Sequence, residues 1–164
     1  MRIRDIQIQR VSLISIRSFE QVVACIDAQI GHPDMTAFRK NISETQNKFE
    51  LEKAVQSATG PTDLMEFARY DLGQIIRKET GEATPMILRL VVGNPLIMKQ
   101  MVRAVRDAGS YAPVTILIDA RPDGVHLSYD RMASYLAPYG SDEALKVARD
   151  LDDKIETLLA TTTK

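Results

Sequence analysis

Apolar residues change their spacing several times along the chain, and each change predicts an element. Over residues 6–16, Ile6, Ile8, Ile14 and Ile16 share one parity while Val11 and Leu13 have the other, so a first strand is expected there with both faces covered or with a bulge. Ser18-Phe19-Glu20-Gln21 is a capping box, and Phe19, Val22, Val23, Ile26 and Ile30 follow at helical spacing until Gly31. The chain then turns polar. Ser43-Glu44-Thr45-Gln46 reads as a second capping box, leading into a helix with Leu51, Ala54, Val55 and Ala58 on one stripe until Gly60-Pro61 stops it. Residues 32–62 are therefore a helical excursion on the outside of the domain, with disorder as the alternative for residues 41–48.

Residues 64–70 alternate as a second strand would, and Asp71 is placed to cap a short helix over residues 72–78. Residues 86–92 are apolar except for Arg89, the pattern of a strand covered on both sides. In Gly93-Asn94-Pro95 the Asn can accept from a first-turn amide and the Pro needs no partner for a missing N–H, so a helix is expected over residues 95–108. Its core face would carry Ile97, Met101, Ala104, Val105 and Ala108, its solvent face Lys99, Arg103 and Arg106, and Gly109 would stop it. Val114, Ile116 and Ile118 alternate, as do Val125, Leu127 and Tyr129, with the hairpin turn Pro122-Asp123-Gly124 between them. A helical turn over residues 132–136 precedes Ser141, the cap of a last helix over about residues 141–160. The terminal TTTK should fray.

About five strands with a hairpin and four or more helices predict an α+β domain with a mainly antiparallel sheet, one domain over residues 1–164. A chain of 164 residues buries enough surface to need no disulfide, and the lone Cys25 could form none internally. With no apolar run long enough to span a bilayer and a charged, alternating N-terminus, a cytoplasmic protein without membrane attachment is expected. A net charge of −1, 5% aromatic residues and no Trp disfavour nucleic acid as a partner.

Gly93-Asn94-Pro95, the apolar strand opened by Tyr111-Ala112-Pro113-Val114, and the hairpin into Val125-His126-Leu127-Ser128-Tyr129 together resemble the domain-of-unknown-function 302 family of bacteria and archaea. The first strand followed by Ser18-Phe19-Glu20 is similar to the family's start, so the resemblance covers residues 6–31 and 69–159, while residues 32–62 depart from it. It implies a small curved antiparallel sheet with helices on one side, of the TATA-binding-protein fold class, and commonly a homodimer; the helical excursion read from the residues is then an insertion near residues 33–60. No activity comes with it, and a DNA-binding relative of the fold is no evidence of DNA binding.

Candidate chemistry is sparse. His32 and His126 lie at no metal-ligand spacing from a carboxylate or Cys25, so no metal and no cofactor are expected. Gly93-Asn94-Pro95 is foremost a helix start, although a small anion could bind beside Asn94. Arg69-Tyr70-Asp71 and Tyr129-Asp130-Arg131 each set a phenol, a carboxylate and a guanidinium at a strand end. They read either as surface ion pairs or as parts of a cleft for a small acid, lined by Arg69, Tyr111, Tyr129 and Arg131. Arg69, Tyr70, Asn94, Tyr111, Tyr129, Asp130 and Arg131 are thus the candidate ligand-binding residues. The first functional expectation is a non-enzymatic homodimer that binds a small, anionic molecule or a partner protein. The second is an enzyme on a small carboxylate metabolite, with Tyr or Asp moving a proton and Arg as anchor. Regulatory nucleic-acid binding through Lys99, Arg103 and Arg106 is third.

Overall fold

The computed structural model describes residues 3–163. Strands β1 (Arg10–Ser15), β2 (Met65–Asp71), β3 (Ile87–Gly93), β4 (Val114–Arg121) and β5 (Gly124–Asp130) form one antiparallel sheet in the order β1-β5-β4-β3-β2. The helices are α1 (Phe19–Asp27), α2 (Met35–Glu44), α3 (Lys48–Gln56), α4 (Gly73–Thr80), α5 (Pro95–Ala104), α6 (Met132–Leu136) and α7 (Asp142–Thr163). The architecture is α+β, as expected.

Alternation decides which face of the sheet is covered. Leu88, Leu90 and Val92, Val114, Ile116 and Ile118, and Val125, Leu127 and Tyr129 are all buried against Val22 and Ile26 of α1, Met101 of α5, and Leu151, Ile155 and Leu158 of α7. Each fully buried aliphatic side chain contributes roughly 1.5–3 kcal/mol. The register carries the opposite face across all five strands as a row, Ser12, Ser128, Leu117, Arg89 and Tyr70, none of them fully buried. A second, smaller cluster of Phe38, Val55 and Met65 fastens the helical excursion to β2.

Local signals account for most elements. The capping box at α1 is closed in both directions, with the Gln21 amide donating to Ser18 Oγ at 3.2 Å and the Ser18 amide donating to Gln21 Oε1 at 3.0 Å. Gly124 has φ 138°, a conformation that disfavours any side chain, and it closes the β4–β5 hairpin. Ser141 caps α7, accepting from the Ala144 amide at 3.3 Å.

Five expectations are corrected. The first strand starts at Arg10 rather than at residue 6: Gln9 O still accepts from the Arg131 amide at 2.9 Å, but the Gln9 amide donates to Ser134 Oγ at 3.1 Å instead of to a strand partner, and the paired ladder begins at Arg10 and Asp130. Its parity is also settled: Val11 and Leu13 pack on the core, while Ile14 is 52% and Ile16 98% exposed. Ser43 does not start a helix; it lies in the last turn of α2, its hydroxyl donating to Lys40 O at 2.7 Å. Asp34 caps α2 and Asn47 caps α3, with Glu50 reaching back to the Gln46 amide at 2.7 Å, so residues 41–48 are ordered by two helix ends facing each other.

The helix opened by Pro95 ends at Ala104. Val105 turns extended to reach the core and a 3₁₀ turn, Arg106–Ser110, follows, which leaves Ala104 exposed and takes Arg106 off the helix that carries Lys99 and Arg103. The short helix after β2 runs from Gly73 to Thr80, with Asp71 Oδ1 accepting from the Gln74 amide one residue earlier than a regular cap would. The last helix does not fray over Thr161–Thr163: Thr162 is 1% exposed and its hydroxyl donates to Leu158 O at 2.8 Å. Lys164 lies outside the described residues.

Candidate functional site

Where β1 and β5 end together, the antiparallel register sets Arg10 opposite Asp130. The guanidinium clasps the carboxylate side-on, Nε donating to Oδ1 at 2.7 Å and Nη2 to Oδ2 at 2.9 Å. Two of the five guanidinium N–H groups are used in this way, and among the described residues the other three have no acceptor. The Arg10 hydrogen bonds hold the Asp130 carboxyl below its usual range and raise Arg10 in turn.

The helical turn α6 follows directly on β5 and brings Tyr135 back over the strand end, its hydroxyl donating to Asp130 Oδ2 at 3.3 Å. Tyr111, from the segment before β4, stacks on Tyr135 with ring centroids 4.8 Å apart and planes inclined at 16°. Tyr111 and Tyr139 share a 2.7 Å hydrogen bond between their hydroxyls, and the Arg4 guanidinium lies 4.0 Å from the Tyr139 ring centroid. The bond to Tyr111, with burial second, pushes the Tyr139 hydroxyl up to about 12. Arg10, Asp130, Tyr111 and Tyr135 wall a cleft of about 220 Å³ that Thr115, Ser128, Leu117, Tyr129 and Met132 also line.

The seven candidate residues do not converge as one set. Tyr111, Tyr129 and Asp130 meet in this cleft. Tyr129 is 2% exposed, its hydroxyl donating to Glu156 Oε1 at 2.8 Å, and burial drives its pKa upward. Arg131 turns to α7, donating to Glu156 at 2.7 and 3.0 Å. Arg69 and Tyr70 stand on β2, at the opposite edge of the sheet, where Arg69 bridges Asp27 and Glu66 and Tyr70 lies under the Arg89 guanidinium at 5.7 Å. Asn94 is 5% exposed with both ends of its amide engaged, Oδ1 accepting from the Leu96 amide at 2.8 Å and Nδ2 donating to Asp63 O at 2.9 Å. It borders a separate, largely apolar pocket of about 130 Å³ beside Phe67, Met98 and Pro113.

Arg10 and Tyr135 complete the cleft and were not among the candidates. Tyr135 could have been found five positions after Asp130 on a turn already expected to be helical. No local signal marks Arg10, which meets Asp130 across 120 residues.

The sequence profile of the domain of unknown function DUF302 matches residues 40–162. The chain belongs to the DUF302 family. A crystal structure of an uncharacterized conserved DUF302 protein from Bacillus stearothermophilus is similar over 94% of this chain and 98% of its own, with a TM-score of 0.64 at 6% identity. That likeness is one of fold. No curated protein matches the chain. Among the described residues no helix is long and apolar enough to cross a membrane.

Acid should loosen the β5–α6 corner before the rest of the fold. Arg10 lowers the Asp130 pKa and Arg131 that of Glu156, so each carboxylate contributes stability that is present above its unfolded value of about 4 and lost as pH falls through the lower folded value. Thermal melts from pH 6 to pH 2.5 should show Tm falling below about pH 4.5, and Glu156→Gln should flatten part of that fall. An unchanged slope in Glu156→Gln would show that the Arg131 pair contributes nothing to it.

Proposed function

We propose that this DUF302 chain is a cytoplasmic, non-enzymatic homodimer that binds a small organic acid in the cleft between Arg10 and the Tyr111–Tyr135 stack. The observation that carries this reading is the guanidinium of Arg10, fixed by Asp130 yet with three N–H groups directed away from that bond. A carboxylate can take a pair of them. Beside it the tyrosine rings, Leu117 and Met132 offer an apolar wall and Thr115 and Ser128 offer hydroxyls, which suits a flat, partly apolar body behind the acid head. The exposed apolar residues Leu72, Ile75 and Ile76 of the β2–α4 corner suit a second copy of the chain.

Binding is favoured over proton transfer for an electrostatic reason. A general base or acid works best with a pKa near the working pH. Here Asp130 is held below the ordinary carboxylate range, a weak base, and the Tyr129 and Tyr135 hydroxyls are pushed above the ordinary phenol range, weak acids.

Thermal-shift measurements with small aromatic and aliphatic carboxylic acids test the reading, since a ligand of the folded state raises Tm by mass action. Arg10→Ala should weaken the best acid by at least about tenfold, or about 1.4 kcal/mol, while leaving the fold intact, because the Arg10 side chain is 66% exposed. A flat screen, or equal affinity in Arg10→Ala, would sink it. Native mass spectrometry at micromolar concentration tests the dimer, and a monomer there would remove that part of the proposal.

A further inference from the structure

At the sheet edge opposite the cleft, three potential metal ligands come together from separate segments: Asp27 at the end of α1, His32 in the loop after it, and Glu66 on β2. The loop is fixed against the strand. The Gly31 amide donates to Leu64 O and the Glu66 amide to Gly31 O, each at 2.8 Å, so His32 is held beside Glu66 rather than meeting it by chance. One donor atom of each residue lies within 4.8 Å of the other two; His32 Nε2 donates to Asp27 O at 3.1 Å, which leaves Nδ1, 3.6 Å from Glu66 Oε2, as the nitrogen that can take an ion. A tetrahedral ion with bonds of about 2.1 Å holds its ligand atoms roughly 3.4 Å apart, so modest side-chain rotation would close the set.

A cation already stands there. Arg69 donates to Glu66 through Nε at 3.0 and 3.1 Å and through Nη2 at 2.6 Å, and it also bonds Asp27 through Nη1 at 3.3 Å. One guanidinium against two carboxylates leaves a net charge of −1, and the carbonyl end of α1 adds partial negative charge. A divalent ion in place of the guanidinium would balance both carboxylates, and an imidazole with two carboxylates suits Zn²⁺, Ni²⁺ or Co²⁺ better than Mg²⁺ or Ca²⁺.

We propose that Asp27, His32 and Glu66 form a binding site for a divalent transition-metal ion, and that Arg69 occupies it in the metal-free chain and swings out when the ion enters. The Arg69 side chain is 31% exposed and has open solvent to move into. The site is independent of the Arg10 cleft, so either can fail without the other.

Isothermal titration of Zn²⁺ into the full chain should show one saturable site. His32→Ala should weaken it at least tenfold, and Arg69→Gln, which removes the competing charge, should tighten it about tenfold. His126→Ala should leave the affinity unchanged, and Mg²⁺ should not compete. Co²⁺ substitution should give visible absorption bands that His32→Ala removes, a readout that does not depend on how Arg69→Gln folds. No saturable uptake by the wild type at millimolar Zn²⁺, equal affinity in His32→Ala, or equal affinity for Mg²⁺ would overturn the proposal.

Discussion

Asp152→Ala should cost about 2–4 kcal/mol of stability and lower Tm by roughly 5–15 °C in a chain of this size. Asp152 lies on the buried side of α7, 4% exposed, and its carboxylate accepts from the first two amides of α6, Met132 N at 2.7 Å and Ala133 N at 3.0 Å. Those amides have no carbonyl of their own helix to use. Alanine would leave the buried Met132 amide and the half-buried Ala133 amide without an acceptor, and α6 carries Tyr135, so the cleft should loosen along with the fold. Asp152→Asn separates the two contributions. Burial pushes the Asp152 carboxyl up against the opposing pull of the two amides, so keeping it ionised has a cost at neutral pH. The amide keeps an acceptor and sheds that charge, and its loss should be smaller. Urea melts of both variants check this; equal losses would mean that packing, not the paired amides, sets the role of Asp152.

What could be read in advance was whatever a few neighbouring residues decide. The β4–β5 hairpin follows from two alternating runs around Pro122-Asp123-Gly124, and both helices with strong start signals, at Ser18 and Asn94, begin where those residues place them. Over residues 34–56 the box at Ser43 pointed to one helix start, whereas the structure uses Asp34 and Asn47 as caps. Packing decided between them, because Phe38 and Val55 both have to reach Met65.

The site was less legible for a topological reason. Tyr111, Tyr129 and Asp130 converge because they come from consecutive segments, β4, β5 and their approaches. Arg69 and Tyr70 carry the same chemistry but sit on β2, and no local pattern reveals that β2 and β5 are kept apart by β4 and β3 while β1 crosses the whole chain to pair with β5. The identity of each side chain was readable; its neighbours were set by strand order. The same holds for Asp27, His32 and Glu66, whose spacing of five and thirty-four residues resembles no ligand motif, although one isolated bridge, Gly31 to Met65, makes them neighbours.

That bridge carries the other large effect. Gly31→Ala should destabilise the chain by more than about 3 kcal/mol, the upper range for forcing an atom into packed structure. A Cβ on Gly31 would stand 2.0 Å from Ala58 O and 2.8 Å from Ala58 C, both backbone atoms, so no rotamer change relieves the clash. Either the end of α3 moves away, pulling Val55 from Phe38 and Met65, or the loop leaves β2 and gives up the two 2.8 Å hydrogen bonds that Gly31 makes with Leu64 and Glu66. Both routes detach the helical excursion from the sheet. Hydrogen exchange should show it as a loss of protection at the Gly31 and Glu66 amides that exceeds the loss in β4 and β5. Gly109→Ala is the matched control: its nearest neighbour would be Val102 Cγ2 at 3.7 Å, an ordinary contact, and the change should stay within about 0.5 kcal/mol. If Gly31→Ala melts like Gly109→Ala, the contact of α3 with the loop after α1 is loose in solution, and the rigid placement of His32 beside Glu66 goes with it.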